Sequence, residues 1–236
     1  MRDNESIRKS RRNFIGALAT GAATLGLTTV AAPLSVHAKT ISDSFTDPVN
    51  NDDPEAFLKD LKGKHKMVFD VTEPHGIFPF AWPRIFLTTN ELTGSPAKEN
   101  NAVVVLRHAA IPYAMEDRLW TKYKFGDMFK VHDQNPQQTA VRNAFWQPKE
   151  GDFKVPGIGN VAIGINELQQ SGVKFVVCNM ALTVYSAAAA QGMNLKPEDV
   201  KADWMKGLLP GIHVVPSGVW ALGRAQEHGC GYCFVR

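Results

Sequence analysis

Short apolar runs alternate with amphipathic stretches along most of the chain. Ala102-Val103-Val104-Val105-Leu106 is β-branched and apolar at successive positions, the pattern of a strand buried on both faces. Lys66–Val71, Lys174–Cys178, Ile212–Val215 and Tyr232–Val235 share that character, so five strands are expected. Helical periods fill the gaps. Val161, Ile165 and Leu168 recur at helical spacing, and Ser171-Gly172 closes that segment. Pro197 to Lys206 sets Val200 and Trp204 one turn apart, with Gly207 as the stop. Ser217 is the expected N-cap of a helix over Val219 to His228, with Gly229 just past its end. Glu116 to Tyr123 and Met180 to Ala190 complete the set. This alternation predicts an α/β fold, a three-layer α/β/α domain around a mostly parallel five-stranded sheet.

Three stretches break the rhythm. Residues 39–60 are rich in Asp, Asn and Pro and read as a polar linker or surface arm. His75-Gly76-Ile77-Phe78-Pro79-Phe80-Ala81-Trp82-Pro83 reads as an aromatic, proline-rich loop that serves packing or an oligomer contact, or else forms an apolar wall of the crevice. Gly157-Ile158-Gly159-Asn160 reads as a glycine-rich loop opening a helix. It matches a loose dinucleotide fingerprint, but no Asp or Glu follows about 20 residues later to hold a ribose, so nucleotide binding is not expected.

Charge changes the picture mainly at the N-terminus. The formal net charge is +3, and residues 1–38 hold the whole excess: Arg2, Arg8, Lys9, Arg11 and Arg12 against Asp3 and Glu5. The remainder is balanced and gives no electrostatic footprint for nucleic acid. Its composition, 44% hydrophobic and 21% charged, is globular. Ser10-Arg11-Arg12-Asn13-Phe14 resembles a twin-arginine export motif, although Ile15-Gly16 follow where Leu-Lys is frequent. An uncharged stretch runs to Pro33, and Val36-His37-Ala38 offers small residues before a cut between Ala38 and Lys39. The stretch is long enough for a membrane anchor but weakly apolar. The expected organisation is a signal peptide over 1–38, the linker over 39–60 and one α/β domain over 61–236, in a periplasmic protein exported by the twin-arginine translocase and without a stable membrane anchor.

In open parallel sheets, ligands bind beyond the carboxyl ends of the strands. That rule selects Arg107 and His108 after the second strand, Cys178 and Asn179 after the third, and Ser217 after the fourth. A thiol at the start of a helix faces N–H groups that favour the thiolate, which makes Cys178 the candidate nucleophile; the other reading is a small buried hydrophobe. His108 is either a strand-end cap or an acid/base group, and Arg107 either a surface ion-pair partner or an anion anchor. Cys230-Gly231-Tyr232-Cys233 is a C-x-x-C and a possible redox pair in an oxidising compartment, yet positions i and i+3 of a straight strand face opposite ways. Metal ligation has little support: there is no second C-x-x-C, and His228 beside Cys230 gives one ligand pair at most. The sequence leaves any cofactor unknown.

Leu168-Gln169-Gln170-Ser171-Gly172-Val173, the segment Gly172–Asn179, Val214-Val215-Pro216-Ser217-Gly218-Val219 and Ala225–Tyr232 together resemble the DsrE/DsrF-like family. The likeness runs from about Ile163 to Tyr232 and weakens over Ala102–Val131. It implies the same three-layer fold, trimers or hexamers, and in some members sulfur relay as a persulfide on the cysteine matching Cys178. An export signal, the 75–83 segment and an insertion around Asn135–Gly157 depart from the cytoplasmic sulfur-relay members. Two functions are therefore carried forward. One is thiol-based sulfur handling or redox chemistry through Cys178, its anion stabilised by Arg107 and His108. The other is a non-enzymatic homo-oligomer that binds a small ligand or metal.

Overall fold

A computed structural model describes residues 53–133 and 138–236. The twin-arginine pair Arg11-Arg12 and the Ala38-Lys39 cleavage site lie outside the described residues. Five parallel strands form one sheet: β1 (His65–Val71), β2 (Asn100–Leu106), β5 (Lys174–Cys178), β6 (Ile212–Val215) and β7 (Gly231–Val235). Their order across the sheet is β6-β5-β2-β1-β7, so β2 is central. The valine-rich run expected to be buried on both sides holds that place, with Ala102 to Leu106 fully buried.

Helices cover both faces, completing the expected three layers. On one face lie α1 (Phe78–Leu92), α2 (Asp117–Tyr123), α3 (Phe125–Phe129), α4 (Ile165–Gln170), α5 (Asn179–Met193) and α6 (Pro197–Lys206). Their apolar sides meet Phe69, Val71, Val104, Leu106, Phe175 and Val177 in the larger core. The other face is thinner. There α7 (Gly218–Glu227) and a 3-10 turn at Ala56–Leu58 pack on Val68, Val103, Val105, Val176 and Val215.

Three expectations are corrected. The polar linker does not extend to residue 60: Phe57, Leu58 and Leu61 are buried in the smaller core. Their apolar side chains outweigh the Asp and Pro around them once a sheet face is available. The 75–83 segment is not a loop beyond Ile77, because Phe78 to Pro83 form the first turns of α1. Pro79 stands in the first turn, where its missing N–H has no helical partner to lose, and the buried Pro83 costs one backbone bond. Gly157 and Gly159 do not open a helix. Both have left-handed φ (80° and 92°) and turn a small hairpin between β3 (Lys154–Val155) and β4 (Gly159–Asn160). The helix that follows begins only at Ile165, after an N-capping Gly164 whose N–H is bonded by Glu167.

The remaining helix boundaries follow the sequence closely. Ser217 caps α7, its Oγ accepting from Trp220 N–H at 3.1 Å, and Gly229 follows with φ 82°. Among the described residues, no helix is long and apolar enough to cross a membrane.

Candidate functional site

The carboxyl ends of β2, β5 and β6 open onto one crevice of 300 Å³. Arg107, His108, Cys178 and Ser217 all line it, so four of the five residues selected by the strand-end rule meet there. The fifth, Asn179, is buried and is not part of the wall. Met180, Val184, Tyr185 and Val219 make the rest of the lining mostly apolar.

Two helices begin at this crevice, one from each face of the sheet. Cys178 ends β5 and is the N-cap of α5; its Sγ accepts from Ala181 N–H at 3.3 Å. Ser217 plays the same part for α7. Both caps leave helix N-terminal N–H groups near the cavity, where negative charge is favoured. Cys178 is only 6% exposed, so a reagent must enter the crevice to reach the sulfur. His108 is exposed and starts the 3-10 segment His108–Ala114 with φ 51°, an uncommon backbone state for a residue with a side chain. Its ring meets Tyr185 edge-on, with centroids 5.7 Å apart.

Arg107 is not a free cation. Its Nε and Nη2 donate to Asp70 Oδ1 and Oδ2 at 2.6 and 2.9 Å, a forked pair, and Tyr232 Oη donates to the same Oδ2 at 2.7 Å. Asp70 is 1% exposed. The hydrogen bonds to Asp70 raise the guanidinium's hold on its proton, against the opposing pull of burial. Arg107 therefore pairs with the buried Asp70 while also lining the crevice, where it interacts electrostatically with Cys178. Gly218 makes this packing possible: a Cβ there would lie 2.6 Å from Arg107 Cβ and 2.8 Å from its Cδ.

Strand parity explains why these three residues meet. Asp70 shares a face with Val68, and the register sets Asp70 beside Val105 and Phe234. Arg107 and Tyr232, each two residues along, fall on that same face as diagonal neighbours. Sequence reasoning passed over Asp70, although a lone carboxylate inside an apolar strand was a signal that a partner had to exist.

The C-x-x-C is not brought together. All three cysteines are free thiols. Cys230 lies in the smaller core, while Cys233 packs against the larger one across the sheet. Burial pushes both thiols up, toward the neutral and poorly nucleophilic form. Among the described residues, no group of three or more His, Cys, Asp or Glu could hold a metal ion. No protein-family model and no curated protein matches the chain.

Proposed function

We propose that the chain is an exported, DsrE-like protein that handles sulfur or exchanges redox equivalents through the Cys178 thiol. The observation that carries this reading is the N-capping position of Cys178 inside the crevice built by three strand ends. In a persulfide relay, the Cys178 sulfur attacks the outer sulfur of a donor R–S–SH. A new S–S bond forms on Cys178, the donor's S–S bond breaks, and the electron pair and proton leave with R–SH. No outside oxidant is required. The apolar lining would limit water at the new persulfide, and His108, which lines the same crevice, would carry the proton.

Export by the twin-arginine route to the periplasm rests on Arg11, Arg12 and the Ala38-Lys39 step. The homo-oligomer, a trimer or hexamer, rests on the family resemblance.

Mass spectrometry of mature protein treated with glutathione persulfide tests the reading. A gain of one sulfur on Cys178, absent in Cys178→Ser, is expected. A folded protein whose Cys178 takes neither sulfur nor an alkylating reagent would sink it. The apolar wall also supports the second reading, a crevice that holds a small ligand without chemistry. In that case Cys178→Ser leaves the function intact.

A further inference from the structure

Ile77, Tyr113, Lys130, Phe145 and Phe153 are among the residues lining a second cavity of 410 Å³, a size typical of small-ligand sites. It shares no lining residue with the crevice at Cys178. Its floor is apolar and aromatic: Ile77, Tyr113, Phe145 and Phe153. The Phe145 and Phe153 rings are parallel with centroids 4.7 Å apart, and Tyr113 meets Phe145 edge-on at 5.5 Å.

Tyr113 is 2% exposed, and its hydroxyl bonds to no described residue. Trp204 Nε1 is the one fully enclosed, unpartnered side-chain N or O among the described residues. Tyr113 is one of the residues that line this cavity. Burial pushes the hydroxyl up, so it is a proton donor throughout the neutral range. A buried donor without an acceptor is costly unless something else fills that role.

The rim adds charge. Lys130 lines it from the left-handed position that ends α3, and its ammonium pairs with no described group. His132 stands beside it. Asp133, also on the rim, has an interaction of its own.

We infer that this cavity binds a small acid with a flat apolar body, its carboxylate at the mouth beside Lys130 and a neutral oxygen at the far end accepting from Tyr113. The orientation follows from desolvation. A carboxylate on the floor would be stripped of water for one neutral donor among aromatic rings, whereas at the mouth it keeps water and gains a cation. The aromatic floor accepts the flat body by stacking or edge contact.

Calorimetric titration of the full chain with para-hydroxybenzoate and with benzoate tests the assignment. Para-hydroxybenzoate should bind at millimolar concentration or below. Tyr113→Phe should weaken it about tenfold, the worth of one good hydrogen bond, and leave benzoate unchanged because benzoate has no far oxygen. Lys130→Met should weaken both acids. The phenylalanine keeps the ring and removes an unpartnered hydroxyl, so its unfolding midpoint should not fall. Alkylating Cys178 should leave both affinities as they were. Absence of para-hydroxybenzoate binding, binding indifferent to both substitutions, or binding lost on Cys178 alkylation would each overturn the assignment. None of these results bears on sulfur transfer to Cys178, which is read separately.

Discussion

The two faces of the sheet are held in different ways. On the thicker face, rings stack in depth: Phe80 on Phe145, Phe145 on Phe153, and Phe125 against Trp204. On the thinner face, one helix and one short turn cover small aliphatic side chains, and the carboxyl end of that layer carries the buried Asp70, held by the partly exposed Arg107 and Tyr232. The thick face is largely redundant, because rings such as Phe80, Phe125 and Phe145 each have several ring neighbours. The thin face depends on a few contacts that must all be present. The crevice lies at the seam, taking α5 from the thick face and α7 from the thin one, so the precision of the candidate site is set by the weaker layer.

Breaking the charge cluster should show this most clearly. Arg107→Ala leaves Asp70 buried without its cation and should cost about 3–5 kcal/mol in urea unfolding. Replacing both partners with apolar residues, Asp70→Leu with Arg107→Met, should recover most of that loss, because no buried charge is then left alone. Phe57→Ala should cost about 3–4 kcal/mol, since the short turn that carries it has little else to hold it to the sheet; a loss below about 1 kcal/mol would show the thin layer to be less dependent on this turn.

Tyr232→Phe should have a smaller effect, about 1 kcal/mol at neutral pH, because the ring is half exposed. It sharpens the comparison through pH. Burial of the hydroxyl first, then its bond to Asp70, push the Tyr232 pKa up to about 12. The folded state therefore favours the neutral phenol. That contribution is complete below the ordinary phenol pKa of about 10 and is lost as pH rises toward about 12. Stability of the parent should fall across this window, and Tyr232→Phe should lack that component.

The smallest effect is expected on the thick face. Burial pushes Asp203 up, but hydrogen bonds from Lys122, Tyr123 and Arg118 outweigh it and hold the carboxyl well below the usual range. Its contribution is complete above the ordinary carboxylate pKa of about 4 and is lost only as pH falls below it. Asp203→Asn should lower the neutral plateau by less than about 1 kcal/mol and flatten the acid limb, because it removes at neutral pH the same contribution that protonation removes from the parent in acid.

What could be read from sequence follows from these same contrasts. The strands were legible because valine runs such as Val103-Val104-Val105 have few alternatives to a doubly buried sheet. The ends of α6 and α7 were legible because Pro197, Gly207, Ser217 and Gly229 each act through local backbone chemistry. The start of α1 was not, because Pro79 and Pro83 read as breakers until one sees that Pro79 falls in the first turn. Phe57 and Leu58 were hidden among polar neighbours, their burial depending on a sheet face formed elsewhere in the chain. For the site, strand-end positions were enough to place Cys178, Arg107, His108 and Ser217 together. They could not reveal what Arg107 holds. Its partner Asp70 is 37 residues away, and only the pairing register puts the two side chains on one face.

The position of β7 has a consequence for how this molecule is made. The strand lies at the sheet edge beside β1, although every other strand precedes it in the chain. On the ribosome, β1 must wait with one flank open until β7 emerges, and Asp70 must wait for Tyr232, 162 residues later. An unfinished chain can assemble β6-β5-β2-β1, but it exposes a bare strand edge and a half-satisfied carboxylate, the features a quality-control system recognises. The arrival of β7 thus closes the β1 flank of the sheet and the charge cluster in one step.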